Sequence, residues 1–195
     1  MADIKRNRKK HIFEQAALLF RNKGYQASSM RELAECVGLK VSSLYSHIGS
    51  KQELLAKICF DSAYLFLSGI ESIQASEMDV LSQLEALISL HVDIAVENPA
   101  TMTVFNDEWK HLDKNGENGL DAFLTLRKSY EHKLSLIFEK GKSQGLIKAL
   151  DTEIILITFL SSMKWFHSHP KFFAPKNKTL IKQQLSVILL DGVRT

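Results

Sequence analysis

Apolar residues recur every three or four positions through nearly the whole of this chain, a spacing that restricts it to helices packed on helices. Only Pro99, Pro170 and Pro175 can break a helix by their rings, and glycine is sparse at 9 of 195 residues. No stretch alternates apolar with polar residues as a half-buried strand would. The expected fold is all-α, about nine helices, divided into a small N-terminal module over residues 1–51 and a larger helical body over residues 52–195.

The first segment, about Arg8 to Lys23, sets Ile12, Phe13, Ala16, Ala17, Leu19 and Phe20 on one side and stops at Gly24. Ser29, followed three residues on by Glu32, has the spacing of a capping box. Met30, Leu33, Ala34 and Val37 then give a second, short helix its inward stripe before Gly38. A third helix, about Val41 to His47, turns Leu44 and Ile48 inward and leaves Ser42, Ser43, Tyr45, Ser46 and His47 on its other faces. Three short helices in so few residues make a helix-turn-helix unit. Gly49 and Ser50 end it, and Ser50 is placed to cap a fourth helix from Lys51 to about Ser68. In the body the periodicity predicts helices over 78–97, 100–113, 120–144, 151–168 and 177–192. A polar loop covers 114–119, and an elbow from His169 to Pro175 is kept from being helical by its prolines.

The formal charge of +3 conceals two unlike parts. Residues 1–51 carry ten Lys and Arg against four Asp and Glu, and residues 52–195 carry fifteen against eighteen, which turns the N-terminal end toward a polyanion. A solvated basic tail accounts for the same bias, so the residues of the module have to decide. Cys36 and Cys59 fall in apolar helical patterns and match neither a metal site nor a disulfide framework; both are expected as free thiols in the core. The start has no apolar signal core, and no uncharged apolar run reaches the roughly 18 residues that span a bilayer. The expected place is the cytoplasm, with no membrane partner.

From Gly24 to Leu55 the chain reads GYQASSMRELAECVGLKVSSLYSHIGSKQELL. Gly24-Tyr25, Ser28-Ser29, Arg31-Glu32-Leu33-Ala34, Gly38, Leu44-Tyr45 and Gly49-Ser50-Lys51-Gln52-Glu53-Leu54 follow one another in order. On these residues the segment closely resembles the DNA-binding signature of the TetR family of bacterial repressors. The resemblance implies an N-terminal three-helix helix-turn-helix domain and a C-terminal helical ligand-binding and dimerisation domain. It also implies a homodimeric transcriptional regulator, a repressor released from operator double-stranded DNA by a small-molecule effector. Lys40 stands where the family has a serine that caps the recognition helix, and Val41 where a lysine commonly reaches DNA, which leaves the operator sequence open.

The chemistry of recognition agrees. A helix in the major groove must keep its backbone close to base edges and phosphates, which suits the short Ser42, Ser43 and Ser46. Tyr45 and His47 can hydrogen-bond phosphates, Lys51 can meet the DNA backbone at a helix N-terminus, and Ser28 with Ser29 can do so at the start of the preceding helix. Arg31, Lys40 and Val41 complete the candidate DNA-binding set. Lys5, Arg6, Arg8, Lys9 and Lys10 add salt-dependent attraction, with the minor groove as one place for it. The competing placements are Tyr45 packed against the first helix, and Ser42 and Ser43 as plain solvated surface.

Farther on, Asn98-Pro99, Glu108-Trp109-Lys110-His111-Leu112, Arg127-Lys128-Ser129-Tyr130, Gln144-Gly145-Leu146-Ile147, Trp165-Phe166-His167 and Leu189-Leu190-Asp191-Gly192-Val193 resemble TetR-type regulators of fatty-acid and acyl-CoA breakdown. That implies an acyl-CoA or fatty-acid-like effector. Phe166-His167-Ser168-His169-Pro170 stands where those members have a Trp-Tyr-Arg-Pro-like elbow, which weakens the case for a phosphate-binding arginine. Candidate pocket residues are Met102, Phe105, Trp109, Tyr130 and Trp165 for an apolar lining, with His91, Lys110 and Arg127 for polar contacts. Each also fits plain core.

The 154–160 and 180–190 segments are apolar nearly all round, more than one small domain can hide. A second subunit should cover them in a C2 four-helix interface through the last two helices, with the recognition helices roughly 34 Å apart. No cofactor or metal is expected, since His167-Ser168-His169 has no third ligand at useful spacing. Nucleophile elbow, phosphate-cradling glycine loop and HExxH, any of which would suggest an enzyme, are absent from the sequence. A multidrug-efflux regulator with a promiscuous apolar pocket, and a helical binding module that uses its basic end on an acidic partner, stand as the other readings.

Overall fold

The computed structural model describes residues 2–169 and 177–195, with side chains from Asn7 onward within those ranges. Among them the chain forms nine α-helices: α1 Ala2–Lys23, α2 Met30–Cys36, α3 Val41–Tyr45, α4 Lys51–Gln74, α5 Val80–Glu97, α6 Pro99–Asp107, α7 Leu120–Ser143, α8 Thr152–Ser168 and α9 Lys178–Leu190. A 3₁₀ turn, Trp109–His111, follows α6. The all-α expectation holds, and the differences lie at helix ends. The predicted 100–113 helix is α6 and the 3₁₀ turn instead of one element. α3 stops two residues short of His47, because Ser46 Oγ folds back to donate to the Ser43 carbonyl at 2.7 Å. α4 runs past Ser68 to Gln74 because Ile70, fully buried, continues its inward stripe. The elbow expected from His169 lies, from Pro170 on, outside the described residues.

Two compact units can be distinguished: Met1–Ser62 with Ala100–Leu124, and Ala63–Pro99 with Thr125–Thr195. In the first, Ile12, Ala16 and Phe20 of α1 share a core with Leu33 and Ala34 of α2, Leu44 and Ile48 of the α3 region, and Leu54 and Leu55 of α4, all at 2% exposure or less. Each large side chain contributes about 1.5–3 kcal/mol by leaving water. The α2–α3 connection is set by a Schellman turn: Leu39 N–H donates to Ala34 O at 2.9 Å and Gly38 N–H to Glu35 O at 3.2 Å. Gly38 sits at φ +66°, where an L side chain is strained, so glycine makes this turn possible. Cys59 is buried as expected, with its thiol pushed up to about 12 by burial and then by Glu108. Cys36 is exposed, against expectation, because it lies on the outer face of α2, away from the Leu33–Ala34 stripe.

In the second unit α5 packs against α8 and α9. Val80, Leu84, Leu87, Ile88 and Val92 of α5 are fully buried, and Ile155, Phe159, Met163 and Phe166 of α8 and Leu134, Ile137 and Phe138 of α7 belong to the same core. α9 buries only Ile181 and Leu190. Lys178 and Lys182, at 2.6 and 2.7 Å from Asp93 Oδ1, tie it to α5. No helix among the described residues is long and apolar enough to cross a membrane.

Candidate nucleic-acid interface and effector unit

α2 starts on a complete capping box: the Ser29 side chain accepts from Glu32 N–H, and Glu32 Oε2 accepts from Ser29 N–H at 2.8 Å. Lys23 pairs with Glu32 as well, and these bonds hold the Glu32 carboxyl below its usual range. α3 begins at Lys40, whose side chain makes no cap. Its buried Leu44 fixes the helix, and Lys40, Val41, Ser42, Tyr45 and Ser46 face solvent while Ser43 and His47 are half-buried. Tyr45 is 50% exposed, so it does not pack into the core. Arg31 is exposed on α2 with Glu35 as its partner at 3.5 Å.

Two of the predicted DNA contacts, Ser28 and Lys51, are engaged within the fold. Ser28 is buried, and its hydroxyl donates to the Gly24 carbonyl at 2.5 Å, so it closes the α1–α2 turn from within. Lys51 turns its ammonium onto the same turn, donating to Ser28 O at 2.6 Å and Gln26 O at 3.3 Å, and lies 4.3 Å from the Tyr25 ring centre. Burial there lowers its pKa, opposed by Glu32 and Glu108. Ser50 does cap α4, accepting from Glu53 N–H at 3.0 Å. Lys9, expected to attract DNA, lies 3.8 Å from Glu53, and Lys10 lies 3.8 Å from Glu14.

The eight candidate pocket residues do not fall into one unit. Met102, Phe105, Trp109 and Lys110 belong to the first, where Phe105 and Trp109 pack on the Phe123 ring, Met102 is core and Lys110 is exposed. His91, Arg127, Tyr130 and Trp165 belong to the second. Helical periodicity identifies an inward face and not which core receives it. Trp165 is 52% exposed and stacks on His169 at 4.2 Å on the surface of α8. Arg127 is half-buried.

His91 and Tyr130 do meet. Tyr130 Oη lies 2.7 Å from His91 Nε2, and His91 Nδ1 lies 3.3 Å from Nε2 of His167, a residue outside the candidate set. The two imidazoles stack at 5.2 Å beside Phe66, with Phe159 edge-on to His91. Burial pushes His91 well below the usual imidazole range, with His167 adding, and takes His167 down to about 4; burial also raises Tyr130. All three are therefore neutral near pH 7. His167 follows Met163 by four residues on the buried stripe of α8, the sequence signal that points it inward. No group of three or more His, Cys, Asp or Glu among the described residues could hold a metal.

A short recognition helix braced by Leu44, led in by a Schellman turn and open to solvent on its polar side, defines a helix-turn-helix DNA-binding protein. Residues 12–58 match the family described as bacterial regulatory proteins, tetR family, and residues 77–168 match the tetracyclin repressor-like C-terminal domain. This chain belongs to the TetR family of transcriptional regulators. It is 26% identical to the HTH-type transcriptional repressor KstR2 of Rhodococcus jostii (strain RHA1), over 97% of this chain and 92% of that one. The solved ketosteroid transcriptional regulator KstR2 of Mycobacterium tuberculosis has the same fold, with a TM-score of 0.88 at 20% identity over 96% and 95% of the two chains. So does AibR in complex with isovaleryl coenzyme A and operator DNA, at 0.79 and 24% over 94% and 98%.

Proposed function

We propose that this regulator represses by binding operator DNA as a homodimer, with Val41, Ser42, Tyr45 and Ser46 of α3 toward the base edges, and leaves the DNA when a small effector binds its second unit. The observation that carries this reading is α3 itself, a five-residue helix held by one buried leucine whose exposed groups are short or planar and polar. Ser29, Arg31, Lys40, Ser43 and His47 supply flanking contacts, phosphates above all. Residues 1–51 form the DNA-binding domain and residues 52–195 hold the effector and the dimer face. Operator DNA sets its place of action in the cytoplasm. A duplex selected by the wild-type chain from random-sequence DNA tests the reading: it should bind tightly and specifically, and a chain that enriches no sequence would overturn it.

The dimer face is supported by α8 and α9, where Ile154, Ile157, Leu180, Val187 and Ile188 are each between 47% and 71% exposed. A groove of about 410 Å³, lined by Trp165, Phe166, Leu185 and Ile188 among others, runs between these helices. For the effector, the AibR structure pairs an acyl-CoA with operator DNA, which supports the same class here. Thermal melting against acyl-CoAs, free fatty acids and cationic drugs discriminates, since a ligand at 100 times its Kd adds about 2.7 kcal/mol. Stabilisation by one acyl-CoA length class is expected; a response to cationic drugs alone selects the efflux-type regulator instead.

A further inference from the structure

The α1–α2 turn is held from two directions within the first unit. From α4, Lys51 donates to two of its carbonyls, and Gln52 Oε1 accepts from Tyr25 Oη at 2.6 Å. From the 3₁₀ turn after α6, the His111 ring lies on Tyr25 at 5.7 Å between centres and 18° between planes, and His111 Nδ1 stands 3.3 Å from Gln26 Nε2. Glu108, one turn earlier, aligns that imidazole through Nε2 at 3.5 Å and sits beside Gly24, where an added Cβ would lie 3.8 Å from its Oε1. Tyr25 packs edge-on against Phe20, the last core residue of α1.

Residues 25 and 111 are far apart in sequence, so this contact is a tertiary choice. The Gln26 bond is exposed and weak on its own, whereas the ring stack is part-buried and directional. The turn it grips leads within four residues to Ser29, which caps α2, and α2 packs on α3.

We propose that His111 is a positioning residue for operator binding: its ring, laid on Tyr25, fixes the α1–α2 turn and so the presentation of α3. The imidazole touches no DNA. Loss of the ring loosens the turn while α3 keeps its sequence and its charge, so specific binding suffers and non-specific attraction to DNA does not. The proposal rests on the operator-binding reading above.

The test uses the full-length chain and the duplex it selects from random-sequence DNA. His111→Ala should weaken that complex about tenfold while affinity for an unrelated duplex stays put, and His111→Phe, which keeps the stack and drops the hydrogen bonds, should stay within about twofold of wild type. Amide hydrogen exchange should accelerate over residues 24–29 in His111→Ala, with α5 and α8 unchanged. Wild-type affinity in His111→Ala, or a His111→Phe variant as weak as the alanine, overturns the proposal. If the wild-type chain selects no duplex, the DNA-binding reading fails separately and the exchange experiment decides the grip: unchanged exchange over 24–29 sinks it.

Discussion

Tyr45 and Lys51 lie six residues apart and part company in their surroundings, and their substitutions should part company too. Tyr45 is half exposed on α3. Tyr45→Ala is expected to change unfolding free energy by no more than about 0.5 kcal/mol and to weaken the selected duplex by about tenfold or more. Lys51 shows the reverse pattern, since its ammonium is occupied by the turn. Lys51→Met should cost about 1 kcal/mol of stability in urea titration. It should also leave the slope of log affinity against log salt unchanged; a slope shallower by about one would return Lys51 to a phosphate. At this scale the sequence made half of the pattern legible. Ser29 with Glu32, Ser50 as a cap and Leu44 facing inward follow from spacing within one turn of helix. The burial of Ser28 and the seating of Lys51 on carbonyls 23 and 25 residues away do not, because periodicity gives the face a residue occupies and never what lies across from it. The stacking of His111 on Tyr25 is hidden from local pattern for the same reason.

Among the elements, α2 and α3 are capped unequally. α2 has both halves of its capping box, whereas α3 begins at Lys40 in extended backbone geometry, φ −68° and ψ 146°, with no side-chain bond to its orphan N–H groups. Lys40→Ser places a hydroxyl where those groups can use it and should raise stability by about 0.5–1 kcal/mol, while Ser29→Ala should lower it by about 1 kcal/mol. Calorimetric melting of the two variants checks the pair, and a neutral Lys40→Ser would mean that α3 is held by Leu44 alone. Helix existence was legible throughout, because nearly every segment carries a long 3.6-residue stripe. Helix ends were less so: α6 gives way to a 3₁₀ turn where Trp109 packs on Phe123, a tertiary contact that local pattern does not contain.

For the molecule as a whole, pH acts through the buried histidines. Folding holds His167 down to about 4 from an ordinary 6.5 and lowers His91 as well, so between those pH values the unfolded chain binds protons that the folded chain refuses. Stability is therefore fully present above about pH 6.5 and falls as pH drops through the window, by about 1.4 kcal/mol per pH unit for each such proton. Glu32, Asp79 and Glu139, whose carboxyls are held low by hydrogen bonds, lose their contributions only at lower pH. Urea titrations from pH 7 to 4.5 should show the decline, and His167→Leu should remove about one proton from its slope. At the dimer face, Ile188→Glu buries a charge against the partner; it should give monomers in sedimentation and lose the selected duplex.

α9 has a consequence beyond that interface. Two of its thirteen residues are buried within its own chain, and lysine pairs with Asp93 join it to α5. In the proposed dimer most of the apolar surface that keeps it folded comes from the partner, so its order follows mass action. On dilution α9 loosens before the rest of its unit melts, and the melting temperature rises with the logarithm of protein concentration. How firmly this regulator holds its own shape is set by its abundance as well as by its sequence.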